Sequence, residues 1–329
     1  MVWLKFIFCA LIILFAGSKL TKYADVIAEK TGLSRAWLGL TLLAMITSLP
    51  ELANAISAVA IVKLPDLALG DILGACMINM FALSLLDIWQ WLRGQEPIFL
   101  KNKQSNAETA LFGVIMLLFV ALGLVFSHFY FDLSFLGVSV YAIVILLLYL
   151  GVQKILLAHS QGTEVVVGEE NYLHLSGTQT YLRFSILAII VVMAGSWLPF
   201  IGAEMVTVMG WGNTFVAVLF LGLATTLPEM TVSISALRLG HTGMSIGNLV
   251  GSNIFNVAII FVADLFYLPG SLLAAASFNM VYAALAGALL LGLAYVALKQ
   301  QIKNRLPSLL MAAVYLGTLF LLFKSGLLS

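Results

Sequence analysis

Two carboxylates stand where an apolar chain has least reason to carry them. Glu51 follows Pro50 within 42–59, LLAMITSLPELANAISAV, and Glu229 follows Pro228 within 219–237, LFLGLATTLPEMTVSISAL. A Leu and two adjacent hydroxyl residues precede each Pro-Glu pair, Thr47 and Ser48 in one stretch, Thr225 and Thr226 in the other. A charge near the centre of a bilayer costs about 3 kcal/mol on insertion scales, so two equivalent buried carboxylates need a polar or ionic reason. Proline lacks an amide donor and clashes with the preceding turn, which frees carbonyl oxygens inside each helix. In hydrocarbon those oxygens need a partner, and a bound cation is one when the break lines a polar cavity. Each glutamate then falls in the first turn after its break, where a half-helix N-terminus stabilises a carboxylate. With the hydroxyls beside them they form a set of hard oxygen donors, suited to Na⁺ or Ca²⁺ and offering little to a soft, thiolate-seeking metal. The plainer alternative is a proline kink whose Ser and Thr satisfy local carbonyls. That accounts for one stretch but poorly for the return of both glutamates in the same frame.

A second segment follows each pair. GDILGACMIN, 70–79, matches the frame of GNLVGSNIFN, 247–256, with the spacing to the Pro-Glu pair differing by one residue. The chain is therefore an internal duplication. In the second copy Gly247 and Gly251 are expected to permit close helix packing, while Asn248, Ser252, Asn253 and Asn256 offer polar contacts to the broken helix or the ion. The first copy keeps Gly70, Gly74 and Asn79, but has Asp71 opposite Asn248 and Ala75–Cys76 opposite Ser252–Asn253. The two halves cannot give identical ligand sets. Asp71 either replaces some of the missing polarity or acts as a proton-accepting or helix-pairing carboxylate outside the ion site. If Asp71, Glu51 and Glu229 share a cavity, a proton relieves their repulsion as a metal cation does, so proton coupling competes with sodium coupling.

These residues have to be positioned by membrane helices. Of 329 residues 62% are hydrophobic and 9% charged, with a mean hydropathy of +1.08, which leaves too little polar surface for a soluble protein. The apolar stretches are mostly twenty or more residues long, the signature of spanning helices rather than of an outer-membrane barrel. Ten spans are expected, at 2–28, 35–61, 67–91, 109–126, 133–157, 181–208, 213–239, 245–266, 275–298 and 306–324. The first looks like a signal-peptide core but continues apolar past Lys19 and Lys22 with no A-x-A pattern, and is read as a retained span. Placing the N-terminus outside puts Lys30, Arg35, Arg93, Lys101, Lys103, Lys154, Arg183, Arg238, Lys299, Lys303 and Arg305 inside, against mainly Lys5, Lys63 and Lys324 outside. That asymmetry favours both termini outside a bacterial-type inner membrane. Five spans per half is an odd number, so the second half enters the membrane in the opposite direction. The expected fold is an all-α integral membrane protein of ten transmembrane helices in two inverted five-helix repeats, with 1–158 the first repeat, 159–180 a cytoplasmic linker and 181–329 the second.

Several classes drop out. The net charge of +1 carries no message about nucleic acid, and no GxxxxGK[ST], HExxH or CxxC occurs, which leaves no basis for ATP hydrolysis or zinc chemistry. No resident cofactor or obligatory protein partner is evident, since one chain holds both halves; bilayer lipid and inorganic cations are the expected partners. Cys9 and Cys76 read as lipid-buried thiols without a disulfide framework. Glu204 is expected in an interhelical hydrogen bond or lining a passage, Asp87 and Asp264 as caps or interfacial carboxylates, and Asn54, Ser57, Ser233 and Ser235 as supports for the broken helices. His128 and His241 lack a convincing ligand cluster.

These residues resemble the alpha repeats of the sodium/calcium exchanger family, the cation/calcium antiporter group. The resemblance covers most of the chain: FAGSKLTKYADVIAEKTG before LLAMITSLPE, the ten-span count, and FLGLATTLPE followed by GNLVGSNIFN. It implies that Thr225, Thr226, Glu229, Ser252 and Asn253 belong to the ion-binding side, with Thr47, Ser48 and Glu51 from the first repeat; Asp71 is a candidate on its own chemistry, not on the resemblance. It also implies five-plus-five inverted topology and alternating exposure of one central cation region, with the first and sixth spans sliding or rocking past the other eight. The implied activity is Ca²⁺ export against inward Na⁺ or H⁺, without covalent chemistry. Other divalent cations such as Mg²⁺ or Mn²⁺, a nontransporting scaffold with an old transporter fold, and a cation channel are the alternatives. The departure from the family pattern is Ala75–Cys76, where relatives usually have Ser followed by Asn or Asp.

Overall fold

The computed structural model describes residues 1–31, 43–100, 104–129, 133–135, 137–160 and 176–326. The first part of the expected span 35–61, residues 161–175 of the expected linker 159–180, and the loop charges Arg35, Lys101 and Lys103 lie outside the described residues. In order, the helices are α1 Val2–Thr31, α2 Leu43–Thr47, α3 Leu49–Ser57, α4 Pro65–Leu92, α5 Gln104–Phe129, α6 Val140–Ser160 and α7 Gly177–Met209. They continue as α8 Asn213–Val216, α9 Gly222–Arg238, α10 Thr242–Phe266, α11 Leu272–Ala275, α12 Asn279–Gln300 and α13 Leu306–Gly326. A two-stranded antiparallel ribbon, β1 Ser134–Phe135 and β2 Val138–Ser139, pairs Ser134 with Ser139 and Phe135 with Val138. It takes the start of the expected span 133–157: Gly137, at φ 82°, makes the turn, and the helix begins only at Val140.

Among the described residues eight helices are long and apolar enough to cross a membrane, and 49–62 and 140–156 form two shorter apolar helices. Burial separates a centre from a periphery. The apolar windows of α4 and α10 are 78% and 72% buried, against 33% for α7 and α13, so the two helices carrying the Gly-Asp/Asn segments form the middle of the protein. The closest helix approach comes from the divergent half. A Cβ added at Gly74 would stand 2.4 Å from the carbonyl oxygen of Val218, whereas one at Gly251 would meet nothing within 4 Å. The packing role expected of Gly251 therefore falls to Gly74.

The two Pro-Glu segments do not fold alike. In the first, the helix is interrupted at Ser48 (φ −89°, ψ 16°), α3 restarts with Pro50 and Glu51 in its first turn, and a π-helical turn follows at Ala58–Val62. In the second, a π-helical turn at Ala217–Leu221 comes first, and α9 runs unbroken through Pro228. The expected pair of broken helices is thus one broken helix and one that is locally widened ahead of its proline, where the extra residue of a π turn absorbs misfit. The half-helix N-terminus argument holds for Glu51 and does not hold for Glu229.

Paired polar anchors fix the periphery. Asp87, in α4, accepts from the backbone N–H of Ile98 at 2.9 Å and the Ser308 hydroxyl at 2.6 Å, and pairs with Arg305. Its repeat mate Asp264 accepts from the backbone N–H groups of Ser139 and Leu272, each at 2.6 Å. Both behave as the expected caps. Glu204 pairs with Lys5 at 2.5 Å, joining α7 to α1. Neither thiol faces lipid: Cys9 and Cys76 are fully buried in protein, and Cys9 donates to the Ala194 carbonyl at 3.2 Å.

Candidate cation site

Glu51, Asp71 and Glu229 are each fully buried, on α3, α4 and α9. Glu51 lies within electrostatic reach of both other carboxylates, so three acids from both halves of the chain share one region. Among the described residues neither carboxylate oxygen of Glu51 has a hydrogen-bond partner, and Glu229 has a bare Oε2. Buried charged oxygens left unpaired are rare in folded proteins because each forfeits its hydration without compensation.

The hydroxyls cross from one half to the other. Ser48, at the break before α3, donates to Glu229 Oε1 at 3.2 Å, and Thr47 borders the same carboxylate. In return Thr225, on α9, donates to Asp71 Oδ1 at 2.9 Å and borders Glu51. The outer two hydroxyls close locally: Thr47 donates to the Ala44 carbonyl at 3.2 Å and Thr226 to the Gly222 carbonyl at 2.6 Å. Each hydroxyl has a single proton, so those four oxygens are left with lone pairs, which a cation can use.

The second segment contributes unevenly. Ser252 is fully buried with an unpaired hydroxyl. Asn253 is committed to the interface between the halves: its Nδ2 donates to the Cys76 carbonyl at 3.2 Å and its Oδ1 accepts from Asn79 Nδ2 at 2.9 Å. Cys76 returns the contact, its thiol directed at the Asn253 carbonyl at 3.7 Å. Asn248 supports α9, donating to the Glu229 carbonyl at 3.1 Å and the Ser233 hydroxyl at 2.9 Å. Asp71, its repeat mate, has both oxygens occupied, by Thr225 and by Asn54 Nδ2 at 2.7 Å. Among the described residues no three His, Cys, Asp or Glu side chains form a group able to hold a metal ion, so much of any cation's shell must come from hydroxyl and carbonyl oxygens.

Asn256, expected to offer a polar contact to the broken helix or the ion, is fully buried with both amide atoms unpaired, and Asn79, its counterpart in the first copy, has an unpaired Oδ1. Sequence reasoning passed over one feature. Gly17 on α1 and Gly195 on α7 lie against the prolines. A Cβ on Gly17 would stand 2.6 Å from Pro228 Cγ, and one on Gly195 2.8 Å from the Pro50 carbonyl oxygen. Here the signal was a repeated Ala-Gly-Ser, 16–18 and 194–196, at the same separation as Pro50 and Pro228.

Comparison with known proteins identifies the family. The family model described as sodium/calcium exchanger protein matches residues 1–154 and 180–324. The chain is 26% identical to the putative antiporter CaxA of Alkalimonas amylolytica over 95% of its own length and 96% of the relative's. It is 24% identical to inner membrane protein YrbG of Escherichia coli over 80% and 78%. In structure it resembles the sodium-calcium exchanger NCX_Mj, with a TM-score of 0.63 and 22% identity, covering 97% of this chain and 99% of that one. The chain belongs to the sodium/calcium exchanger family of secondary-active cation antiporters, and is a membrane transporter rather than an enzyme.

Proposed function

We propose that the chain moves Ca²⁺ out of the cell in exchange for Na⁺, across a bacterial-type inner membrane, through one region between α3, α4, α9 and α10. The observation that carries this is a pair of fully buried glutamates, Glu51 and Glu229, from opposite halves, with three bare carboxylate oxygens between them. Glu51, Glu229, Thr47, Ser48, Thr225, Thr226, Ser252 and Asn253 surround the transported ion, with Asp71 completing the cluster. The reading of ten spans takes the eight long apolar helices together with the two shorter ones. Division into repeats 1–158 and 181–329 about a cytoplasmic linker at 159–180 is supported by crossed pairing: α1 rests on Pro228 and α7 on Pro50, while hydroxyls of each half meet carboxylates of the other. The loop charges favour both termini outside.

Asp71 favours a second reading, in which H⁺ replaces Na⁺ as counter-ion, because it brings a third carboxylate to the same cluster. The deciding experiment is radiolabelled Ca²⁺ flux into sealed proteoliposomes under a Na⁺ gradient, a pH gradient or none, with Glu51→Gln/Glu229→Gln as control. Flux driven by Na⁺ and lost in the control is the expected result. Flux driven only by the pH gradient selects the second reading. No flux in folded, inserted wild type under any gradient refutes Ca²⁺ antiport; Mg²⁺ and Mn²⁺ flux is then measured, and its absence as well supports the scaffold.

A further inference from the structure

Glu51 and Glu229 are repeat mates, yet they are not equally bare. Glu229 receives a hydroxyl proton from Ser48, while both oxygens of Glu51 are without a donor. A donor is nevertheless at hand. Thr225 borders Glu51, and its one proton has three acceptors in reach: Asp71 Oδ1 at 2.9 Å, the Leu221 carbonyl at 3.2 Å and the Gly222 carbonyl at 3.3 Å. The Asp71 oxygen is the nearest of the three. Asp71 therefore holds the proton. At the corresponding place in the other half stands Asn248, whose amide points its donors at the Glu229 carbonyl and Ser233 and takes no hydroxyl proton.

We infer that Asp71 is a positioning residue and not a cation ligand: by capturing the Thr225 proton it turns that hydroxyl's lone pairs toward Glu51 and keeps the Glu51 carboxylate free for the ion. Its second oxygen, held by Asn54 Nδ2 at 2.7 Å, fixes the carboxylate plane from the Glu51 side of the chain. Asn54 and Asp71 thus act as one unit that reaches Thr225 from the opposite repeat. Without Asp71, the Thr225 proton is released to Glu51, which then holds a hydrogen bond that an incoming cation must break.

This inference rests on the site reading above, and a double-mutant cycle separates the two. The proteins are wild type, Glu51→Gln, Asp71→Ala, Asp71→Asn, Thr225→Val, and each Asp71 variant combined with Thr225→Val, all measured for radiolabelled Ca²⁺ binding and exchange in proteoliposomes. Asp71→Asn guards against misfolding: it is isosteric, and the Asn54 Oδ1, now without a partner, can accept from the new amide once the Asn54 side chain turns over. Asp71→Ala is expected to raise the KM for Ca²⁺ by about three- to tenfold with kcat within about twofold, and to add nothing in the Thr225→Val background, which has no proton to release; Asp71→Asn, whose Oδ1 still accepts the Thr225 proton, should stay within about twofold of wild type. Equal losses with and without the Thr225 hydroxyl would make Asp71 a direct ligand and overturn the inference alone. Unchanged Ca²⁺ binding in Glu51→Gln would overturn the site reading and the inference together.

Discussion

Substituting alanine for Gly17 or Gly195 tests the crossed contact between the long peripheral helices and the site helices. On Gly17 the new methyl carbon would lie 2.6 Å from Pro228 Cγ and 3.1 Å from Pro228 Cβ. Carbon atoms settle at about 3.5–4.0 Å, so α1 and α9 must part by about 0.9 Å at that point. At Gly195 the obstacles are the Pro50 carbonyl oxygen at 2.8 Å, Ala53 Cβ at 3.0 Å and Pro50 Cα at 3.2 Å. None of those atoms is the end of a flexible side chain, so no rotamer change relieves the clash and the displacement passes to Pro50 and the neighbouring Glu51. Overpacking of this kind costs typically about 1–3 kcal/mol, which should lower the melting temperature in detergent by roughly 2–6 °C. Gly151→Ala is the control, since nothing lies within 4 Å of its added Cβ; it should be neutral or slightly stabilising. Ca²⁺ exchange and detergent melting are measured on all three, and both site-facing variants should lose at least about tenfold in exchange rate, because a shift near 1 Å at a coordinating group is costly. Wild-type melting and exchange in Gly17→Ala and Gly195→Ala would show that the glycines are not in these contacts and would refute the crossed arrangement.

Glu51→Gln removes a buried charge with no hydrogen-bonded partner, so in divalent-free, low-Na⁺ buffer it should melt at or above wild type while divalent affinity falls about ten- to hundredfold; a lower melting point would mean that Glu51 is paired in the empty protein. Glu229→Gln should lose affinity similarly but gain less stability, because Ser48 already donates to one oxygen. Two ion pairs should separate sharply in thermal unfolding. Arg305→Ala strands the fully buried Asp87 carboxylate and should cost about 3–5 kcal/mol, whereas Lys5→Ala breaks a pair whose side chains are 44% and 36% exposed and should cost no more than about 1 kcal/mol. Comparable losses in the two variants would contradict that burial argument.

The repeated Thr/Ser-Leu-Pro-Glu made the site residues legible, because a charge that recurs in an apolar frame has few explanations. It could not reveal which way each hydroxyl turns. Ser48 and Thr226 are repeat mates beside identical Leu-Pro-Glu, yet Ser48 reaches across to Glu229 while Thr226 bonds back to the Gly222 carbonyl at 2.6 Å. α9 runs unbroken through Pro228, whereas the chain is interrupted at Ser48. The π turns were equally hidden, since Ala-Val-Ala-Ile-Val and Ala-Val-Leu-Phe-Leu carry no residue type that demands one. Gly74, by contrast, was quoted in the sequence but credited with less than Gly251, and only the passing backbone of Val218 shows why it must lack a side chain.

The duplication therefore specifies the positions of the matched polar groups, and the differences between its copies specify how their hydrogen bonds are wired. Asp71 facing Asn248 and Cys76 facing Asn253 are substitutions at matched places, yet their consequences are opposite in kind. Cys76 and Asn253 exchange contacts with each other across the centre, so that divergence is absorbed within a packed interface and needs no compensation from the site. Asp71 has no such mirror partner; it faces a hydroxyl of the other half, and the imbalance appears directly in how many protons reach each glutamate. An asymmetric carboxylate pair therefore sits within a framework built from two copies of one unit.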